Sequence, residues 1–113
     1  MSDLLDTARA HLGSNDPLAI RRACWLARAA LESAVIDLLS ARGIDVTKAS
    51  ERGKLSCLEG AYADDRQLTS RAEYAWSRLS EACHQHAYQL SPTHVEAKQL
   101  IELVAGVAEP RST

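Results

Sequence analysis

The chain has 113 residues, 46% of them hydrophobic, which is room for one domain around one core, so any larger binding surface calls for a second copy. Thirteen basic residues against fifteen acidic ones, a net charge of −2 and a pI near 6.1 exclude a protein that coats nucleic acid through bulk charge, while leaving room for a local basic pocket. No apolar run approaches a membrane span, and the opening MSDLLDTARAHLG carries acids where a secretory signal carries positive charge, so a soluble, cytoplasmic protein with no membrane partner is expected.

Helical spacing dominates, and no segment alternates β-branched residues or offers a hairpin turn, so the chain reads as all-α. Ser2 is placed to cap a short first helix with Leu4, Leu5, Ala8 and Leu12 on one side and Gly13 as its stop. Asp16-Pro17 then opens a long helix running to Arg42 and ending at Gly43. Its stripe of Ala23, Cys24, Ala27, Leu31, Ala34, Val35 and Leu38 is rich in alanine, which lets neighbours approach closely and marks it as the central helix. The polar stretch GIDVTKASERG from Gly43 to Gly53 reads as a loop, and a brief helix from Lys54 to about Tyr62 would bury Leu55, Leu58 and Tyr62. Asp64 and Asp65 can cap the next helix, which carries Leu68, Ala72, Ala75, Trp76, Leu79, Ala82, Cys83, His86 and Leu90 on one face. Ser91 followed by Pro92 would start a last helix with Val95, Leu100, Ile101, Val104 and Val107 as its apolar side, and the tail from Glu109 to Thr113 is expected to fray. Four or five antiparallel helices joined by short connections make a bundle over residues 1–113. Cys24, Cys57 and Cys83 are odd in number and set among apolar residues, as reduced core thiols are.

Polar residues that break the apolar pattern concentrate in WSRLSEACHQHAY, from Trp76 to Tyr88. Imidazole exchanges a proton near neutral pH and guanidinium holds phosphate, which together suffice to cut RNA without a metal. His86 falls on the apolar stripe, where a core histidine bonded to a backbone carbonyl is the plainer account. His84, two positions away and about 200° around the helix, cannot share a metal ion with it, so no zinc site and no cofactor is expected from Cys83, His84 and His86. Tyr88, four residues after His84, can stack on that ring. Arg71 lies two turns before Arg78 on nearly the same face and could lengthen an anion-binding groove; with Glu73 and Glu81 the two arginines could equally form a solvated strip of ion pairs worth a few tenths of a kcal/mol each.

Arg78-Leu-Ser-Glu-Ala-Cys-His84, followed by Gln-His86-Ala-Tyr88, resembles the signature helix of the HEPN superfamily, small helical bundles that include ribonuclease toxins and defence nucleases. The family motif is an Arg, four to six residues, then a His near the end of a bundle helix; in the toxin branch one residue and a Tyr follow the His. The alanine-rich helix with ARAALESAVIDLL, Ala27 to Leu39, resembles the long helix that precedes it. Two registers stand open. Arg78 with His84 has an acceptable gap of five but no Tyr two residues on, whereas His86-Ala-Tyr88 has the Tyr but Glu81 where the Arg belongs, and a carboxylate repels phosphate.

The resemblance implies a HEPN-like fold and a two-fold dimer that brings both motif helices to a shared cleft, where His promotes attack of a ribose 2′-OH on the adjacent phosphodiester and Arg stabilises the developing charge. On that reading Arg78 binds phosphate, His84 is the base with His86 as its competitor, Tyr88 and Arg71 help bind RNA, and the partner in a toxin–antitoxin pair is a small nucleotidyltransferase. A catalytically silent HEPN-like module that dimerises or binds a nucleotide or protein is the alternative, favoured by Glu81. A third reading is a plain interaction module using an exposed apolar patch of Trp25, Ile36 and Leu39 on the long helix.

Overall fold

A computed structural model describes residues 3–14, 16–83 and 92–109. These form five helices, α1 (Asp3–His11), α2 (Pro17–Ala41), α3 (Glu51–Ala61), α4 (Arg66–Cys83) and α5 (His94–Ala108), and no strand among the described residues. The all-helical bundle read from the periodicity is therefore observed.

Local chemistry sets most boundaries. The Asp16 carboxylate accepts from Leu18 N–H at 3.1 Å, with Pro17 in the first turn of α2. At the other end Gly43 has φ +79°, its N–H bonding Ser40 O at 2.9 Å while Ile44 N–H bonds Leu39 O at 2.9 Å, a Schellman stop that only a residue without Cβ adopts freely. Two starts differ from the sequence expectation. α3 begins at Glu51 instead of Lys54, because the Ser50 hydroxyl accepts from Gly53 N–H at 3.0 Å and recruits an extra turn. α5 begins at His94, capped by Thr93 rather than Ser91, with Thr93 Oγ1 accepting from Glu96 N–H at 3.0 Å; Ser91 lies outside the described residues, as do Ser2 and the tail beyond Glu109.

The core draws on all five helices around α2, which packs against each of the other four. Ala23, Ala27, Ala30 and Ala34 of α2 are buried, as the alanine stripe requires for close helix approach, and Leu31 and Leu39 are fully enclosed. Leu68, Ala72, Ala75, Leu79 and Ala82 of α4 and Ala97, Leu100, Ile101, Val104 and Val107 of α5 complete it. Three expectations are corrected. Val95 is 64% exposed, since it falls just past the cap on the outer side of the first turn. Cys57 is exposed, not a core thiol. Leu39 is fully buried and Ile36 half-buried, so of these three only Trp25 is exposed and the expected patch does not form. The polar loop after α2 is anchored by buried Val46 and by an Asp45 side chain that accepts from Thr47 N–H (3.1 Å) and Oγ1 (2.9 Å).

Two clasps tie α3 down. Tyr62 O–H donates to Leu38 O at 2.6 Å while the Arg42 guanidinium lies over the Tyr62 ring, 3.8 Å from its centroid, and donates to Ala61 O. Lys54 is only 6% exposed and reaches Glu51 at 3.6 Å; Glu51 in turn shares a hydrogen bond with Glu32 of α2, which raises its carboxyl pKa above the ordinary value, with burial adding to the effect. No helix among the described residues is long and apolar enough to cross a membrane.

Candidate functional site

One end of the bundle collects polar side chains from α2, α4 and α5. α4 leaves the described chain at Cys83, so His84 is the next residue; the chain resumes at Pro92, two residues before α5. His84, His86 and Tyr88 lie outside the described residues, and the site is built here from what borders them.

Arg78 faces α5. Its Nη2 donates to Glu96 Oε2, and Nη1 lies 3.6 Å from Oε2 of Glu81, one turn on along α4. The Glu96 hydrogen bond and charge, with Glu81 contributing less, raise the guanidinium pKa further above its ordinary value, so it is permanently charged and firmly oriented. Glu81 is thereby accounted for: its exposed carboxylate turns back toward Arg78 and also borders a hollow of about 420 Å³ with Arg52, Glu73, Trp76 and Ser80. Arg71 is exposed and lines a separate open hollow of about 400 Å³ between α4 and α5, beside Lys98, Glu102 and Leu103. The strip of ion pairs along α4 is thus split. Arg78 pairs with Glu81 and Glu96, Glu73 with Arg52 of α3 at 3.8 Å, while Arg71 has no carboxylate within ion-pair distance among the described residues.

The other flank of α4 faces α2. Arg28 lies over the Trp76 ring, 4.7 Å from its centroid, a cation–π contact that holds the guanidinium plane against α4. Arg28 also hydrogen-bonds the Cys83 side chain, and Arg21, two turns earlier on α2, acts on the same thiol through its charge. Burial nonetheless dominates and keeps the Cys83 pKa above the usual thiol value. Cys24, one turn before Arg28, is pushed up to about 11 by burial, with Cys83 and Glu96 adding to it. These couplings bring Arg21, Cys24 and Arg28 of α2, Cys83 of α4 and Glu96 of α5 to one neighbourhood, immediately ahead of His84. Arg28 Nε, and Ser80 Oγ at the hollow beside Trp76, are enclosed with no hydrogen-bond partner among the described residues.

Sequence reasoning singled out Arg78 but missed Arg21, Arg28 and Glu96. The signal for the first two was present: Arg21, Trp25 and Arg28 recur at i, i+4, i+7 on the flank of the alanine stripe. Glu96 carried no such signal, because its role depends on how α5 lies against α4. A further histidine is structural: His94 Nε2 lies 2.7 Å from Leu12 O and ties the start of α5 to the end of α1. Among the described residues no group of three His, Cys, Asp or Glu side chains converges as a metal site would.

Comparison with models of protein families, with curated proteins and with solved structures finds no match. What fold and site define is an all-helical bundle, with guanidinium groups gathered about the last turns of α4 among the described residues.

Proposed function

We propose that this chain is a HEPN-like domain acting on RNA, a metal-independent endoribonuclease of the toxin or defence type whose site lies at the end of α4 and is completed by a second copy across a two-fold axis. The observation that carries the reading is the Arg28 guanidinium, held over the Trp76 ring and beside Cys83, the residue before His84, in a chain of net negative charge. Positive charge placed where an imidazole follows is what phosphodiester cleavage by side chains alone needs: cations for the phosphate and its transition-state charge, a base for the 2′-OH. In this reading His84 takes the 2′-OH proton with His86 as the competing base, Arg78 and Arg28 bind phosphate, and Tyr88 and Arg71 position the strand. A small nucleotidyltransferase as antitoxin partner goes with the toxin form.

A second reading is favoured by a specific observation. Arg78 is already held by Glu96 and Glu81, so its charge is largely neutralised before any phosphate arrives. That supports a catalytically silent HEPN-like module that dimerises or binds a nucleotide or protein.

Cleavage of an unstructured RNA oligonucleotide in EDTA separates the two. The active form yields 2′,3′-cyclic phosphate ends, and Arg78→Ala and His84→Ala each abolish them; Glu81→Arg, which frees Arg78 of one carboxylate, raises RNA affinity. No cleavage by wild type and no gain from Glu81→Arg leaves the silent module. Activity that appears only on adding a divalent metal overturns the mechanism.

A further inference from the structure

We infer that the outer flank of α2 carries a binding track for single-stranded RNA, with Trp25 as the platform on which an unpaired base stacks and Arg21, Arg22 and Arg28 as its phosphate contacts. This deepens the RNA reading and rests on it.

Trp25 is 59% exposed, so its indole face is open to a stacking partner. Among the described residues no exposed apolar cluster surrounds it: Leu39 is buried, Ile36 half-buried, and the one other exposed large apolar residue on α2 is Leu18, two turns earlier. Its helix neighbours are guanidiniums. Arg21 lies one turn before it and Arg28 one turn after, about 10 Å apart along the axis, and Arg22 sits at the edge of the same flank.

None of these three arginines has a carboxylate within ion-pair distance among the described residues, whereas Arg9, Arg42, Arg52, Lys54 and Arg78 all do. The acid that continues the line, Glu32, is engaged by Glu51 of α3 and does not pair with Arg28. Arg28 is meanwhile fixed in plane by Trp76, with one nitrogen enclosed and unpartnered. An exposed indole between guanidiniums that no described carboxylate answers is the combination that single strands use: bases stack on the ring whatever their identity, and the backbone follows the charge. The track runs along α2 toward Cys83 at the end of α4, beside which Arg28 lies.

The test is fluorescence anisotropy of a labelled ten-nucleotide poly(U) in EDTA, with His84→Ala as background so that the probe survives. Trp25→Ala weakens binding about 10-fold and Trp25→Phe restores most of it, as loss of one stacking contact requires. Arg21→Ala weakens binding and lowers the slope of log affinity against log salt by about one. Trp25 is exposed, so these variants keep the thermal midpoint of the parent, which is checked in parallel. If the parent binds but Trp25→Ala matches it, the track is overturned while the RNA reading stands on the cleavage assay with Arg78→Ala and His84→Ala. Failure of wild type to bind or cleave any oligonucleotide overturns both. Equal competition by poly-glutamate, lost with Trp25→Ala, overturns the RNA track in favour of an acidic protein partner.

Discussion

Arg78 on α4 and Arg28, which packs on α4 from α2, differ in what answers their charge: Arg78 has two carboxylates, Arg28 an indole ring and a thiol. The same contrast governs the cysteines. Cys24 at about 11 and the raised Cys83 hold little thiolate at neutral pH, while Cys57 is exposed, so alkylation by iodoacetamide followed by mass spectrometry modifies Cys57 first and Cys24 last. Modification of Cys24 ahead of Cys57 contradicts the packing described. Glu51 gives a pH dependence with a definite sign. Its carboxyl pKa is raised in the folded chain, so it stabilises the fold fully below the unfolded value, and that contribution is lost as pH rises through the raised one. Glu51→Gln keeps a hydrogen-bonding group without the proton, so the stability of the variant relative to wild type increases with pH from about 4 upward. Because the side chain is 39% exposed, solvent screening limits the change to a few tenths of a kcal/mol. Urea melts at several pH values measure it, and a constant difference would show that Glu51 and Glu32 share no proton.

At the scale of the elements, short-range capping chemistry decides where helices begin, and neighbouring helices decide which faces they bury. Thr93 illustrates the first: Thr93→Ala leaves Glu96 N–H without its acceptor and costs about 1 kcal/mol, read as a lower urea midpoint at unchanged slope. The loss has a second consequence, because the same turn of α5 presents Glu96 to Arg78, so fraying there loosens the tie between α4 and α5. The boundaries of α2 were legible in the chain because Asp16-Pro17 and Gly43 are local signals. Those of α3 and α5 were read late and early respectively, since several Ser and Thr residues compete as caps and the spacing alone does not rank Ser50 over Gly53 or Thr93 over Ser91.

For the whole molecule the expected association is a two-fold dimer, the state the RNA reading requires for a complete site. Sedimentation at micromolar concentration gives twice the 12.3 kDa chain mass under that reading, and a monomer across the range removes the shared cleft. The all-helical class, the central place of α2 and most of the core were determined by the sequence, because helical periodicity and an alanine stripe act through neighbours three and four residues apart. The candidate site was legible only in part. Arg78 stood out by its spacing to His84, but that Glu96 would answer its charge depends on how two successive helices, α4 and α5, lie side by side. Likewise Arg21, Trp25 and Arg28 were visible as a helical series, yet an exposed tryptophan becomes a cationic–aromatic track, not an apolar patch, only once Leu39 turns inward and Glu32 is drawn away to Glu51. Periodicity records which residues share a face of one helix; what that face meets, and which charges are left uncompensated on it, is settled by packing between helices.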